Sequence, residues 1–140
     1  QVDTLRIAGS AVTVPIFAQL SARVDISTTT YTTVISGTID TAGQPVVVQY
    51  SMTGGVSSFT TGSFGIFISG TLVRSFNVPG GPVVSISGTA FLSNPSSSPF
   101  TVELKALTND NTLPIAVYAP SIPADPNVGG TFFYALGTKR

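Results

Sequence analysis

Apolar and polar residues alternate with a period of two along most of this sequence. The clearest case is the segment 100–106, where Phe, Val, Leu and Ala occupy one face while Thr, Glu and Lys occupy the other. This alternation is typical of a half-buried β-strand, because successive side chains of an extended chain point to opposite sides. Gly (14 residues) and Pro (10 residues) recur throughout, so few windows can hold a helix of more than two turns. We predict an all-β fold.

The alternating segments recur at nearly regular intervals along the chain, with turn residues between them. They predict strands near residues 2–7, 11–18, 22–27, 31–39, 45–52, 64–69, 71–78, 83–92, 99–107, 112–119 and 130–137. Strands about 8–12 residues apart are typical of an antiparallel sandwich or barrel. No internal repeat or linker divides the chain.

Two short segments contain residues that are typical of turns, and two longer segments are predicted to be surface loops. Ser69-Gly70 predicts a tight hairpin, and Asn109-Asp110-Asn111 predicts a second one, because Asn and Asp tolerate left-handed conformations. The loops are expected at 93–99 and 120–130.

The chain is rich in apolar residues and unusually poor in charge. Hydrophobic residues make up 42% and charged residues 9%, and the formal net charge is zero. The apolar runs end after a few positions, whereas a membrane helix needs about 20 consecutive apolar residues, so no membrane insertion of that kind is expected. Zero net charge removes any general attraction for nucleic acid or anionic membrane.

Residues for catalysis are scarce. His and Cys are absent, and the lysines are Lys105 and Lys139. The acidic residues are Asp3, Asp25, Asp40, Glu103, Asp110 and Asp125. Acid–base and nucleophilic catalysis usually need His, Cys, or an Asp, Glu or Lys with a shifted pKa, placed in a pocket. Glu103 lies on the polar side of its strand beside Lys105, which indicates a solvated role. We predict a protein that is not an enzyme and has no cofactor.

Calcium is the metal for which the sequence offers candidate ligands. Asn109, Asp110 and Asn111, with Asp125, gather the oxygen atoms that Ca²⁺ prefers. A turn explains the same three neighbouring residues by backbone geometry alone, and it is the preferred interpretation.

Carbohydrate binding has modest support from the aromatic residues. The chain has no Trp, and Tyr31, Tyr50 and Tyr134 lie in strands where a structural role is expected. Tyr118 falls on the face opposite Ile115 and Val117 and is the candidate for exposure, with packing in the core or in an interface as the preferred interpretation.

The segment near residues 11–18 has an unusual combination of features. Val12, Val14 and Ile16 form an apolar face, but Pro15 removes a hydrogen-bond donor from the middle of the strand. Such a strand belongs at a sheet edge, and it can complete either its own sheet or the sheet of a neighbouring subunit. The ordinary edge strand is the simpler alternative. The domain assignment is accordingly an N-terminal strand or extension at 1–20 and a β-sandwich at 21–140.

Two predicted strands carry apolar residues on both faces. Phe132 and Tyr134 point one way while Phe133 points the other, and Phe67 lies behind the apolar face of the 64–68 segment. Such strands lie inside a sandwich or between subunits. We therefore expect an oligomer whose interface includes Val12, Val14, Ile16, Phe67, Phe132, Phe133 and Tyr134.

Three short motifs are similar to those of a known family. They are Val34-Ile35-Ser36-Gly37-Thr38 before an apolar strand, Phe67-Ile68-Ser69-Gly70-Thr71-Leu72-Val73, and Gly129-Gly130-Thr131-Phe132-Phe133-Tyr134. With these motifs, the stretch 32–136 resembles the trimeric jelly rolls related to complement and tumour-necrosis-factor domains, in particular those of bacterial spore surfaces and phage fibres. The resemblance implies an antiparallel jelly-roll sandwich of about 8–10 strands. It also implies a surface domain that assembles without catalysis.

These observations lead to three functional hypotheses. The leading one is a structural subunit of an extracellular, self-assembling fibre, pilus-like filament or spore appendage, whose partners are copies of itself. The second is a viral capsid, decoration or phage-fibre protein, and the third is a module that binds a glycan or a host receptor. The numbering opens at Gln1 without a leader, which suggests a mature chain, although a fragment would look the same.

Overall fold

The structure is a computed structural model that describes residues 12–120 and 130–139. Within these ranges the regular elements are ten β-strands, as the alternation predicts. They are β1 (Val12–Gln19), β2 (Val24–Ile26), β3 (Thr32–Ile39), β4 (Val46–Gly55), β5 (Gly62–Ile68), β6 (Thr71–Val78), β7 (Val84–Leu92), β8 (Phe100–Thr108), β9 (Ile115–Val117) and β10 (Phe132–Lys139). The strand predicted near residues 2–7 lies outside the described residues.

The strands form two antiparallel sheets that pack face to face. In sheet 1, β10 lies between β1 and β4, and β4 pairs with β7 on its other side. The short strands β9 and β2 extend sheet 1 from the end of β4. Sheet 2 has the order β3-β8-β5-β6. The two four-stranded arrangements β1-β10-β4-β7 and β3-β8-β5-β6 are those of a jelly roll, which confirms the predicted fold class.

The core lies between the sheets and consists of every second residue of each long strand. Its fully buried side chains include Val46, Val48, Met52, Phe64, Ile66, Ile68, Val102, Leu104, Ile115 and Phe133. Glycine is needed at position 54, where β9 joins β4, because a Cβ there would clash with the carbonyl oxygen of Ala116. The period of two thus specifies which side chains are buried.

One predicted hairpin is confirmed and the other is wrong. Ser69 and Gly70 join β5 to β6 with φ angles of 54° and 77°, as a two-residue type I′ turn requires. The segment around Asp110 does turn, but it connects β8 of sheet 2 to β9 of sheet 1, so the flanking strands do not pair. Turn residues specify a change of direction and not the sheet in which the next strand lies.

The strand β1 lies at a sheet edge, as Pro15 predicts. β1 is at the edge of sheet 1 and pairs with β10 of the same chain, with Pro15 opposite Leu136. Val14 and Ile16 pack against the core of their own chain. Exchange of this strand between subunits, and with it a separate segment at 1–20, stays a prediction.

Candidate functional site

A row of four apolar residues crosses the outer face of sheet 1. The strand register aligns Pro15 of β1 with Leu136 of β10, Leu136 with Val47 of β4, and Val47 with Phe91 of β7. The exposed fractions are 38% for Leu136, 37% for Val47 and 57% for Phe91. We call these four residues the apolar row. It spans the full width of the four-stranded part of sheet 1.

Aromatic residues continue the apolar surface along β1 and β10. Phe17 lies opposite Tyr134, with 59% and 40% of their side chains exposed. The rings of Phe17 and Phe132 are 6.2 Å apart between centroids and tilted by 32°. This pair is close enough for a favourable aromatic contact. The apolar row and these rings form one continuous patch.

No charged side chain interrupts this face within the described residues. The outward-facing residues of β1, β10, β4 and β7 are Pro15, Phe17, Gln19, Phe132, Tyr134, Leu136, Thr138, Val47, Gln49, Ser51, Ser85, Ser87, Thr89 and Phe91. The buried centre of a protein interface is depleted in charge, because covering an unpaired charge removes its hydration. This face can therefore be covered without that penalty.

The outer face of sheet 2 is organised differently. Lys105 places its ammonium group 4.5 Å from the ring centroid of Phe67 and 3.8 Å from a carboxylate oxygen of Glu103. Glu103 also accepts a hydrogen bond of 2.6 Å from Thr33. Tyr31 packs edge-on against Phe67, with centroids 5.3 Å apart. The aromatic surface of sheet 2 is thus covered by its own chain.

The structure brings together only part of the predicted interface. Phe132 and Tyr134 lie on the outer face of sheet 1, whereas Phe133 is fully buried in the core. Phe67 lies on the opposite side of the sandwich, under Lys105 and Tyr31. Val14 and Ile16 face inward, and the side chain of Val12 lies outside the described residues.

The sequence analysis missed five members of the patch, namely Pro15, Phe17, Val47, Phe91 and Leu136. A signal for two of them was present. Val47 stands between the buried Val46 and Val48, and Phe91 follows the buried Ala90. Both are apolar residues at positions where alternation predicts a polar one, the same signal that singled out Phe132.

Beside the apolar row, the outer face of sheet 1 contains an open groove of about 380 Å³. Its lining consists of Gln49, Tyr50, Ser51, Ser87, Gly88, Thr89, Phe132 and Tyr134. The two rings of β10 lie on one side of β4, and the small residues of β7 lie on its other side. We refer to this feature as the groove.

The candidate calcium ligands are engaged in a turn. One carboxylate oxygen of Asp110 accepts hydrogen bonds from the backbone NH and the hydroxyl of Thr112, at 2.9 and 2.7 Å. These bonds hold the pKa of Asp110 below its usual value. Asn109 donates to the hydroxyl of Thr61 at 2.6 Å. Asp125 lies outside the described residues, and calcium binding stays an untested alternative.

The described acidic residues do not form a cluster that could hold a metal ion. In the described ranges no group of three or more His, Cys, Asp or Glu side chains comes together. Arg23 pairs with Asp25 at 3.0 Å and lies over the ring of Tyr118, 5.4 Å from its centroid, so Tyr118 is partly covered. The part of the chain that the structure describes contains no helix that is long and apolar enough to cross a membrane.

Comparison with solved structures returns β-sandwich domains at low identity. The CBM36-1 domain of a multidomain xylanase from the hindgut metagenome of Trinervitermes trinervoides is 11% identical over 89% of this chain and 97% of that one, with a TM-score of 0.45. An infectious bursal disease virus (Gx strain) structure is 13% identical over 92% of this chain and 32% of the viral one, with a TM-score of 0.42.

A Bacillus endospore appendage pilus structure is 13% identical over 79% of this chain and 89% of that one, with a TM-score of 0.32. No family model and no curated protein matches the sequence. Likenesses at this level do not assign a function.

Proposed function

We propose that this protein is a non-catalytic structural subunit that assembles with copies of itself through the outer face of sheet 1. The observation that carries the proposal is the apolar row, which crosses four strands with no charged side chain of residues 14–120 or 130–138 beside it. Exposed apolar patches on stable domains mark contact surfaces more often than chance. Covering the exposed parts of Leu136, Val47 and Phe91 would contribute up to about 1 kcal/mol each.

A second copy of the chain is the partner that fits this face best. An uncharged face offers no complement to a basic or acidic partner, whereas another copy presents the same neutral, apolar surface. Self-complementary contacts of this kind are the usual basis of symmetric assemblies. The mixed charges around Lys105 and Glu103 on sheet 2 leave that side suited to solvent.

The setting that we propose is an extracellular or particle surface. A low charge content and a sandwich that needs no disulfide suit a repeated subunit of a fibre or appendage. A viral or phage shell would use the same fold and the same contact. The strand exchange predicted for residues 1–18 is a different assembly route, because it would replace β1 and leave the apolar row on the surface.

Mass in solution and electron microscopy test the proposal together. Light scattering coupled to size exclusion, over a concentration series, is expected to show dimers or larger species that grow with concentration. Negative-stain images then separate threads from closed particles. A folded chain that stays monomeric at every concentration and forms no particles would overturn self-assembly.

A further inference from the structure

The groove contains polar side chains that have no hydrogen-bond partner among the described residues. The side chains of Gln49, Ser87, Thr89 and Tyr134 make no hydrogen bond to any other described residue. Ser51 differs, because its hydroxyl donates to the carbonyl oxygen of Gly130 at 3.0 Å. Among the described residues, these four side chains therefore offer one amide and three hydroxyls to a ligand in the groove.

The shape and polarity of the groove restrict the chemistry of that ligand. One wall is aromatic, with Phe132 and Tyr134 two residues apart on β10, and the opposite side carries the free hydroxyls and the amide. No charged side chain lines it. A pyranose ring is neutral, with a C–H face that packs on an aromatic ring and hydroxyls at its edge. A volume near 380 Å³ is within the range for small-molecule sites.

We propose that the groove binds a neutral saccharide chain. Tyr134 packs against the C–H face of a sugar ring, which suits the electron-rich face of an aromatic side chain. Gln49 both donates to and accepts from the sugar hydroxyls, and Ser87 and Thr89 bind the opposite edge. The groove is open to solvent on the outer face of the sheet, so that a chain of sugars as well as a single sugar can lie in it.

Other occupants fit less well. An anionic glycan or nucleic acid would find no cation in the groove, which gives it no favourable charge contact. A purely apolar side chain would cover Gln49 and Thr89 without replacing their hydrogen bonds to water, at a cost in free energy. The groove and the apolar row share the outer face of sheet 1, because Tyr134 and Gln49 form the next outward-facing pair after Leu136 and Val47. Saccharide binding is therefore tested both on the wild type and on a variant with weakened assembly.

Titration with defined hexasaccharides tests the site. We would use xylohexaose, cellohexaose, mannohexaose and maltohexaose as neutral probes, and hexagalacturonate as an acidic probe, with binding followed by calorimetry. The wild-type chain and its uncharged Leu136→Ser variant are both titrated, so that assembly through the apolar row is weakened without placing a cation beside the groove. At least one neutral probe is expected to bind saturably, and the acidic probe is not.

Variants of the groove complete the test. Gln49→Ala and Tyr134→Ala are each expected to weaken binding by about tenfold or more. Asn77→Ala and Tyr31→Ala remove the same kinds of group on the side of sheet 2, opposite the groove, and are expected to bind as the parent does. Circular dichroism checks that each variant is folded. Absence of neutral-probe binding in both parent chains, stronger binding of the acidic probe, or unchanged affinity in the two groove variants would each overturn the proposal.

Discussion

Leu136 of β10 and Val47 of β4 lie directly opposite each other on the outer face of sheet 1, and each keeps more than a third of its surface exposed. Pro15 and Phe91 extend the contact to the two edges of the four-stranded arrangement. The described part of the chain leaves all four on the surface.

A charge placed in the apolar row should prevent assembly. Leu136→Lys would bring an unpaired ammonium group into the proposed contact, where covering it costs several kcal/mol. The free energy of unfolding of the single chain should change by about 1 kcal/mol or less, as for most surface positions. Light scattering is expected to show a folded monomer. Thr38→Lys, on the outer face of sheet 2, serves as the control, and equal loss of assembly in both variants would contradict the assignment of the face.

An engineered disulfide can show whether β1 pairs with β10 of its own chain or of another subunit. Phe17 and Tyr134 are directly opposite, and the natural chain has no Cys, so Phe17→Cys combined with Tyr134→Cys forms a defined pair. Because β1 pairs with β10 of its own chain, oxidation should give a monomer on a non-reducing gel. A ladder of covalently linked chains would instead demonstrate strand exchange between subunits.

Tyr50 and Gly88 pack so closely that a methyl group at position 88 should destabilise the fold. A Cβ on Gly88 would lie 2.7 Å from the hydroxyl oxygen of Tyr50, whose ring is buried and contacts Phe76. We expect Gly88→Ala to lower the free energy of unfolding by about 1–3 kcal/mol, measured by urea denaturation. Removing the hydroxyl with Tyr50→Phe should relieve part of this loss in the double variant. An equal loss in both backgrounds would show that the clash is not the cause.

The turn at Asp110 should contribute to stability in a pH-dependent way. Its hydrogen bonds to Thr112 hold the carboxyl pKa below the usual 3.8, so the ionised form is favoured in the folded state. The contribution is therefore present above this pH and is lost as the pH falls through the lower pKa of the folded state. Asp110→Ala is expected to lower the melting temperature at neutral pH, and the difference should shrink in acid. A difference that is constant across this range would exclude the mechanism.

Much of the fold could be predicted from local pattern. The alternation along 100–106 correctly assigned Val102 and Leu104 to the core and Glu103 to the outer face, because side-chain direction in a strand depends only on position parity. Ser69-Gly70 predicted its hairpin because positive φ angles at both positions specify that turn. The role of Asn109-Asp110-Asn111 was predicted only in part, since turn residues do not specify which sheet receives the next strand.

The candidate site was harder to predict, because it joins residues that are far apart in the chain. Pro15, Val47, Phe91 and Leu136 form a row only after β10 inserts between β1 and β4 and β7 pairs with β4. Phe67 shows the opposite outcome, because it was predicted to lie in the interface and is covered by its own chain. It shares the two-faced pattern of Phe132, but Lys105 and Tyr31 cover it.

The sequence alone determined that the chain forms β-strands, which residues of each strand face the core, and that neither His nor Cys chemistry is available to it. These properties follow from backbone periodicity and residue type, which act locally. Only the tertiary structure decided which outward apolar residues remain exposed and which polar groups in the groove remain unpaired. Both depend on strand order and register, which arise from contacts between residues distant in sequence.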